Sequence, residues 1–251
     1  MTKIILTGCN GRMGKVVTDL AKEDPQVEIV AGIDITEGEN CSFPVYQSLK
    51  DVNEAADVIV DFSSPKAFEA MMDYAVTYQI PVVICTTGLS DEQIRRVWED
   101  AKKTALLRSA NMSIGVNLLL KLVREAAQKL VPEGFDIEIV ERHHNQKKDA
   151  PSGTALALAD SISEGLEDSY QYTYDRSQRM EKRSPMEIGI SAVRGGNIPG
   201  THEVIFAGQD ELVEFHHIAY SRSIFGKGAL AAAKFLAGKE AGLYSMEDVI
   251  G

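Results

Sequence analysis

The 251-residue sequence has few of the residues that mark several classes of protein. Its three cysteines, Cys9, Cys41 and Cys85, are an odd number without paired spacing, which argues against a disulfide framework and a zinc knuckle. No apolar run approaches the ~20 residues that a membrane-spanning helix needs, and no signal-like apolar segment follows Met1. From these absences we expect a reduced, cytoplasmic protein with no membrane partner.

Basic residues are also scarce. Lys and Arg number 26 against 37 Asp and Glu, which gives a formal net charge of −11. A general nucleic-acid binder needs a surplus of positive charge to neutralise phosphates, so we expect no nucleic-acid partner. An anionic small molecule would instead need a local positive cluster, and Arg142, Lys147 and Lys148 provide one.

The N-terminal part predicts a strand, a glycine-rich turn and a helix. The turn consists of Gly8, Cys9, Asn10, Gly11, Arg12, Met13 and Gly14. Its G-x-x-G-x-x-G spacing departs from the usual G-x-G-x-x-G, because Cys9 stands where the first glycine is expected. Asp34 follows a second predicted strand, where its carboxylate could accept hydrogen bonds from ribose hydroxyls. We therefore expect a dinucleotide site; the alternative is a glycine-rich surface turn and a solvated aspartate.

Strands and helices alternate through the rest of the first half. The pattern predicts strands at 57–62, 80–85 and 105–107 and helices at 66–78 and 91–102. This alternation favours a parallel sheet, in which ligands bind at the carboxyl ends of the strands. Residues at those ends complete the expected cofactor contacts: Phe62, Cys85, Thr86, Thr87, Ser109, Ala110, Asn111 and Met112.

The second half predicts a smaller mixed sheet with one or two helices. Helical patterns cover 116–130 and 154–166, and strand-like runs lie at about 187–193, 202–207 and 212–219. A further strand is predicted by aromatic side chains at period two, namely Tyr170, Tyr172 and Tyr174. Such aromatic area is enriched at subunit interfaces, so we expect this sheet to form the oligomer contact. A last helical pattern from residue 225 is expected to pack back on the first lobe.

The stretch between these halves combines a proton donor with an anion site. His143 and His144 end a predicted strand, where successive side chains point to opposite faces. A histidine suits acid–base work near neutral pH, although either one could instead be a structural residue. A metal site that also uses His216 and His217 is disfavoured, because no ligand pair has the helical i, i+4 spacing. No metal is therefore expected.

A helix start follows these histidines. Pro151, Ser152, Gly153 and Thr154 begin the predicted helix, whose first N–H groups can hold a carboxylate or phosphate. Lys147 and Lys148 lie just before this helix start, where an ammonium group adds its charge to the same anion site. Taken alone, each of these two lysines would be a solvated loop residue.

Three segments resemble the dihydrodipicolinate reductase (4-hydroxy-tetrahydrodipicolinate reductase) family. They are the glycine-rich turn, Thr86-Thr87-Gly88, and the block from Glu141 to Ala155, which reads E-x-H-H-x-x-K-x-D-x-P-S-G-T-A. The resemblance implies a homotetrameric enzyme of the diaminopimelate route to lysine that uses NADH and/or NADPH. Cys85 and Met112 stand where many members have glycine and phenylalanine, and the loop at 176–183 departs from a glycine-containing loop common in the family.

The resemblance also implies roles for individual residues. His143 resembles the family's proton donor, and Lys147 resembles its partner at the reacting centre. The residues that resemble those binding the two substrate carboxylates are His144, Lys147, Ser152, Gly153 and Thr154. Two other functions stay open: another Rossmann amino-acid or imine dehydrogenase, which would not explain the block, and a non-catalytic dinucleotide-sensing protein, which would not need His143 and Lys147.

Together these observations predict an α/β protein of two domains. Residues 1–113, completed by 224–251, are expected to form a dinucleotide-binding domain with a Rossmann-type parallel sheet. Residues 114–223 are expected to form a smaller α+β domain with a mixed sheet that binds the substrate, a small-molecule dicarboxylate, and carries the oligomer contact.

Overall fold

A computed structural model describes residues 1–36, 41–177 and 179–251, which form two compact units. The first unit comprises Met1–Ile114 and Arg222–Gly251, and the second comprises Gly115–Ser221. No helix among the described residues is long and apolar enough to cross a membrane.

Strands and helices alternate along most of the chain. The strands are β1 (Thr2–Thr7), β2 (Val27–Ile33), β3 (Val45–Tyr46), β4 (Val58–Asp61), β5 (Val82–Ile84), β6 (Ala105–Arg108), β7 (Asp136–His143), β8 (Gln171–Thr173), β9 (Glu187–Arg194), β10 (Thr201–Ala207), β11 (Leu212–Ile218) and β12 (Gly242–Tyr244). The helices are α1 (Arg12–Glu23), α2 (Phe68–Tyr78), α3 (Asp91–Asp100), α4 (Ile114–Leu130), α5 (Gly153–Glu164), α6 (Ser223–Leu236) and α7 (Met246–Ile250).

The first unit is built on a parallel sheet of the Rossmann type, which confirms the expected fold class. Its strand order is β12-β6-β5-β4-β1-β2-β3, and every neighbouring pair is parallel. Ile4, Ile5 and Leu6 are successive residues of β1 and are all fully buried, so both faces of the sheet are covered. One face packs against α6, and the other packs against α2 and α3.

The second unit contains the expected mixed sheet, with strand order β11-β10-β7-β9-β8. β10 is antiparallel to β7 and β11, whereas β9 is parallel to β7 and β8. Burial alternates strictly along β7, so Ile137, Ile139, Glu141 and His143 share the face that packs against α4 and α5. The Glu141 carboxylate and the His143 imidazole are therefore buried on the same face of β7 as Ile137 and Ile139.

Three short elements were not predicted, namely β3, β12 and α7. Two or three residues are too few to show a strand period, and β12 is formed by pairing with β6 at the edge of the sheet. The aromatic strand is β8, but Tyr170 and Tyr172 pack against the core of their own unit, while Tyr174 is 53% exposed. These tyrosines therefore offer no continuous exposed aromatic surface.

The arginines of the loop at 176–183 bind acidic residues of the same sheet. Arg183 donates to Asp136 at 2.7 Å and to Glu138 at 3.0 Å, and Arg176 forms an ion pair with Glu187. Gln178 lies outside the described residues. These contacts give the loop's arginines structural partners within the second unit.

Candidate active site

The glycine-rich turn after β1 brings backbone close to backbone. Gly8 has a φ of +73°, and a Cβ at this position would overlap the carbonyl oxygen of Phe62. A Cβ on Gly14 would overlap the carbonyl oxygen of Gly8. Gly11 is the N-cap of α1 and provides no side-chain cap, which leaves the first amide groups of the helix for an anion. This cradle fits the pyrophosphate of a dinucleotide.

Asp34 ties the end of β2 to this turn. Its carboxylate accepts a hydrogen bond from the Asn10 amide at 3.0 Å, and the Asn10 side chain donates to the carbonyl of Thr36 at 2.8 Å. Gly8, Gly11, Asp34 and Phe62 line one cavity of about 800 Å³, a volume within the usual range for cofactor sites.

This cavity is also lined by residues that the sequence did not single out. They include Tyr74 and Tyr78 of α2, with ring centroids 4.6 Å apart, and residues that follow β3, such as Gln47 and Lys50. No period or motif marks these residues in the sequence, because they meet only when β3 joins the sheet beside β2.

The other predicted cofactor residues follow β5 and β6 at the same edge of the sheet. Cys85, Thr86 and Thr87 follow β5, and the turn from Ser109 to Met112 follows β6. The Thr86 hydroxyl is buried and has no hydrogen-bond partner among the described residues, which suits a site completed by a ligand.

Several of these side chains are not available to a ligand. Cys9 and Met112 are buried in the core of the unit, so only their backbone groups can contribute. Burial raises the pKa of the Cys85 thiol well above its usual value, and the nearby Asp61 raises it further, so this residue stays a neutral thiol. The Ser109 hydroxyl accepts a hydrogen bond from the Met246 amide at 2.7 Å.

In the second unit, the Glu141 carboxylate is the centre of a buried network. It accepts two hydrogen bonds from Arg194, both at 2.7 Å, one from the Ser152 amide at 2.9 Å, and one from His143 Nδ1 at 2.6 Å. Burial opposes ionisation of this carboxyl group, but these hydrogen bonds outweigh it and lower the pKa of Glu141. His143 is therefore held through Nδ1 by a charged partner.

His202 lies beside this network on β10. Its ring packs edge-on against His143 with centroids 5.2 Å apart, and its Nε2 is 3.0 Å from the Ser152 hydroxyl. Burial, together with repulsion from His143 and then His217, lowers the pKa of His202 to about 4. Glu141 opposes this shift and Lys147 adds to it. His202 is accordingly neutral near neutral pH.

The predicted substrate-binding residues lie at the end of β7 and at the start of α5. Ser152 is 2% exposed, and its hydroxyl caps α5 by accepting from the Ala155 amide at 3.2 Å. Gly153 is exposed, and a Cβ there would meet no atom within 4 Å. Lys147 forms an ion pair with Asp149 at 2.9 Å, which lowers the pKa of the Asp149 carboxyl. His144 and Thr154 are half-buried.

The histidines considered for a metal site lie on different faces. His217 lines the inner face of the sheet, whereas His216 points outward beside Glu203 and Glu214. Arg142 holds one oxygen of Glu203 at 2.9 Å. The absence of a metal stays a prediction.

Sequence reasoning assigned no role to Glu141, Arg194 or His202, and it considered His217 only as a metal ligand. Glu141 and His202 both occupy core-facing positions of strongly alternating strands, and this break in the apolar pattern was visible in the sequence. Arg194 gave no such signal, because its pairing with Glu141 depends on β9 lying beside β7.

Comparison with known proteins agrees with these features. The model for dihydrodipicolinate reductase, N-terminus, matches residues 2–112, and the model for its C-terminus matches residues 115–250. A 4-hydroxy-tetrahydrodipicolinate reductase of Caldanaerobacter subterraneus subsp. tengcongensis is 55% identical over 250 residues, covering 100% of this chain and 98% of that protein. One of Clostridium tetani is 44% identical, covering 98% of this chain and 96% of that protein.

A solved structure has the same architecture over its whole length. The dipicolinate-bound dihydrodipicolinate reductase from Paenisporosarcina sp. TG-14 has a TM-score of 0.83 and 26% sequence identity, with 99% of each chain covered. Both halves of the chain thus match one family, over almost every residue. The chain belongs to the dihydrodipicolinate reductase family.

Proposed function

We propose that this chain uses NADH or NADPH to reduce 4-hydroxy-tetrahydrodipicolinate, by way of dihydrodipicolinate, to tetrahydrodipicolinate in the diaminopimelate route to lysine. The observation that carries the proposal is the buried pair of His143 and Glu141, in which Glu141 holds His143 through Nδ1 and also accepts from the Ser152 amide at the N-terminus of α5. Nε2 is then the ring nitrogen that takes up a proton from solvent and, in the doubly protonated ring, hands it to the substrate.

The reaction needs a hydride, a proton and a fixed substrate. The nicotinamide cofactor, when bound, supplies the hydride to a carbon of the conjugated imine. His143 gives the proton that neutralises the charge left on the substrate, and Lys147 stabilises that charge as it develops. Binding of both carboxylates fixes the reacting carbon.

Substrate binding is assigned to the start of α5 and to two residues before it, namely His144 and Lys147, whose ammonium group is ion-paired with Asp149 in this structure. The Ser152 hydroxyl already caps α5, so Ser152 contributes by fixing the helix start. The amide groups of Gly153 and Thr154 then hold a carboxylate at the positive end of the helix. That the Paenisporosarcina reductase binds dipicolinate supports a dicarboxylate as ligand of this chain.

Cofactor binding is assigned to residues 1–113 with 224–251, and substrate binding and oligomerisation to residues 114–223. The cavity of about 800 Å³ and the uncapped helix start after Gly11 support the first assignment. The residues that we assign to the cofactor are Gly8, Cys9, Asn10, Gly11, Arg12, Met13, Gly14, Asp34, Phe62, Cys85, Thr86, Thr87, Ser109, Ala110, Asn111 and Met112.

We place the enzyme in the cytoplasm as a homotetramer, assembled through the outward face of the second unit's sheet. This face carries exposed apolar side chains, including Val193, Leu212 and Ile218, whose burial would stabilise an assembly. Light scattering at micromolar concentration should return the mass of four chains; a monomer mass would refute this part.

The activity is tested by mixing the protein with NADH and freshly made product of the preceding synthase and following nicotinamide absorbance. His143→Gln should lower kcat by roughly a hundredfold, in line with the contribution of a positioned acid. NADH affinity, measured by fluorescence titration, should stay near that of the unsubstituted chain. NADH oxidation with simple keto or imino acids, but not with the synthase product, would instead favour another amino-acid dehydrogenase. NADH binding without turnover of any substrate would favour a sensing role.

A further inference from the structure

Glu141 has no exposed surface and uses both carboxylate oxygens twice. Oε2 accepts from His143 Nδ1 at 2.6 Å and from one Arg194 nitrogen at 2.7 Å. Oε1 accepts from the Ser152 amide at 2.9 Å and from the other Arg194 nitrogen at 2.7 Å. A buried carboxylate without partners would be strongly unfavourable, so these four donors are what keep it ionised.

Arg194 also fixes the position of this carboxylate. One of its nitrogens donates to the carbonyl oxygen of Asp149 at 2.6 Å, in the loop that carries Lys147. A guanidinium presents two parallel donors to a carboxylate and defines its orientation as well as its charge. Arg194 thereby joins β9, the loop and Glu141 in one rigid arrangement.

We infer that Glu141 and Arg194 are positioning residues that hold His143 in the Nδ1–H tautomer, so that Nε2 alone exchanges the proton of the reaction. An ionised carboxylate can only accept, so Nδ1 at 2.6 Å has to be the donor. The inference rests on the proposed function of His143 as the proton donor.

The surroundings of Nε2 support this assignment. A Cβ on Gly200 would lie only 3.1 Å from Nε2, so a glycine at this position leaves room on that side of the ring. The neighbouring ring of His202 packs edge-on and stays neutral, and therefore places no second positive charge against His143 when it is protonated. Nδ1 is thus held by Glu141, whereas a glycine and no side chain faces Nε2 at position 200.

The variant Glu141→Gln replaces one carboxylate oxygen with an NH2 group and so tests what the His143 tautomer depends on. Its amide NH2 must replace either Oε1, where it would face the Ser152 amide, or Oε2, where it would face His143. The Ser152 N–H cannot reverse its polarity, whereas an imidazole can move its proton from Nδ1 to Nε2. The NH2 group should therefore take the Oε2 position and convert His143 to the Nε2–H tautomer.

The tautomer can be read by NMR of the imidazole nitrogens, because the chain has only five histidines. The His143 signals are assigned by their loss in His143→Gln. The unsubstituted chain should show Nδ1–H at His143, and Glu141→Gln should show Nε2–H with kcat lowered roughly a hundredfold and NADH affinity unchanged. Rescue of the Nδ1–H signal in Glu141→Asp is expected to be partial.

Asp100→Asn is the matched control, because Asp100 is a buried carboxylate bound by Arg96 at 3.0 Å but contacts no histidine. It should lose stability without changing the His143 tautomer or kcat. If Glu141→Gln does not fold, Arg194→Lys takes its place, since one ammonium cannot reproduce the two parallel hydrogen bonds to Glu141 together with the one to the Asp149 carbonyl. Arg194→Lys should keep Nδ1–H and lower kcat roughly tenfold.

The inference is overturned if His143 is Nε2–H in the unsubstituted chain. It is also overturned if kcat is unchanged in folded Glu141→Gln or, where that variant does not fold, in Arg194→Lys. A Glu141-dependent Nδ1–H tautomer in a protein that does not turn over the synthase product would sustain the positioning pair and overturn the proposed function instead.

Discussion

His202 should make the stability of the second unit depend on pH between 7 and 5. Burial lowers the pKa of this histidine from 6.5 to about 4, with smaller contributions from His143 and His217. In the unfolded chain the imidazole takes up a proton at a higher pH than in the folded chain. Protonation therefore favours unfolding, and stability is complete above the unfolded pKa and is lost as pH falls toward the folded value.

The size of the effect follows from the shift. A pKa lowered from 6.5 to about 4 amounts to roughly 3 kcal/mol at about 1.4 kcal/mol for each pKa unit, fully lost only below pH 4. About 2 kcal/mol of this should be lost between pH 7 and pH 5. That is a large part of the net stability of a typical domain.

His202→Gln removes the titrating group and keeps a polar atom that can reach the Ser152 hydroxyl. Urea unfolding followed by circular dichroism at fixed protomer concentration should show a weaker loss of stability from pH 7 to pH 5 than in the unsubstituted chain. The only tryptophan, Trp98, lies in the first unit and serves as an internal reference, because its transition should not change with the substitution. Equal pH dependence in both proteins would refute the reasoning.

Four further predictions concern ligand binding and packing. Asp34 would place its charge against a 2′-phosphate, so NADH should serve at least as well as NADPH, and a preference for NADPH above about tenfold in kcat/KM would contradict this. Asp149→Asn removes the ion-pair partner of Lys147 and should lower KM for the substrate severalfold in steady-state assays; an unchanged KM would argue against substrate binding by Lys147. Gly153→Ala should raise KM without changing thermal stability, because its Cβ meets no protein atom. Gly228→Ala should lower thermal stability by about 2 kcal/mol, because its Cβ would overlap the carbonyl oxygen of Met112. If Gly153→Ala and Gly228→Ala had the same melting temperature, the expected difference between the two positions would be contradicted.

The parallel sheet and its ligand-binding edge could be predicted because both are encoded locally. Runs such as 80–85 are apolar and bounded by turns, and every predicted cofactor turn follows a strand of the observed sheet. The cavity wall formed by Tyr74 and Tyr78 could not be predicted in this way. It depends on which strand lies beside which, and local periodicity does not record strand order.

The same limit applies to the network around Glu141. β7 is the central strand of its sheet, so its inward side chains meet residues from β9 on one side and β10 on the other. Arg194 is 53 positions from Glu141 along the chain, and His202 reaches the site only because β10 runs antiparallel to β7. Residue types and spacing singled out His143 and Lys147 as candidates, but not the side chains Glu141 and Arg194 that fix the position of His143.

The two helix starts assigned to anions differ in a way that bears on what each can bind. At α1 the N-cap is Gly11, which has no side chain, so no N-cap side chain takes an amide that could bind the phosphates of a dinucleotide. At α5 the N-cap is Ser152, whose hydroxyl already takes the Ala155 amide and whose own amide is bound to Glu141. The next two positions, Gly153 and Thr154, are the ones that we assign to a substrate carboxylate at that end. One carboxylate has two oxygens to satisfy, so α5 is matched to a single carboxylate, and the second carboxylate of the substrate falls to side chains such as Lys147.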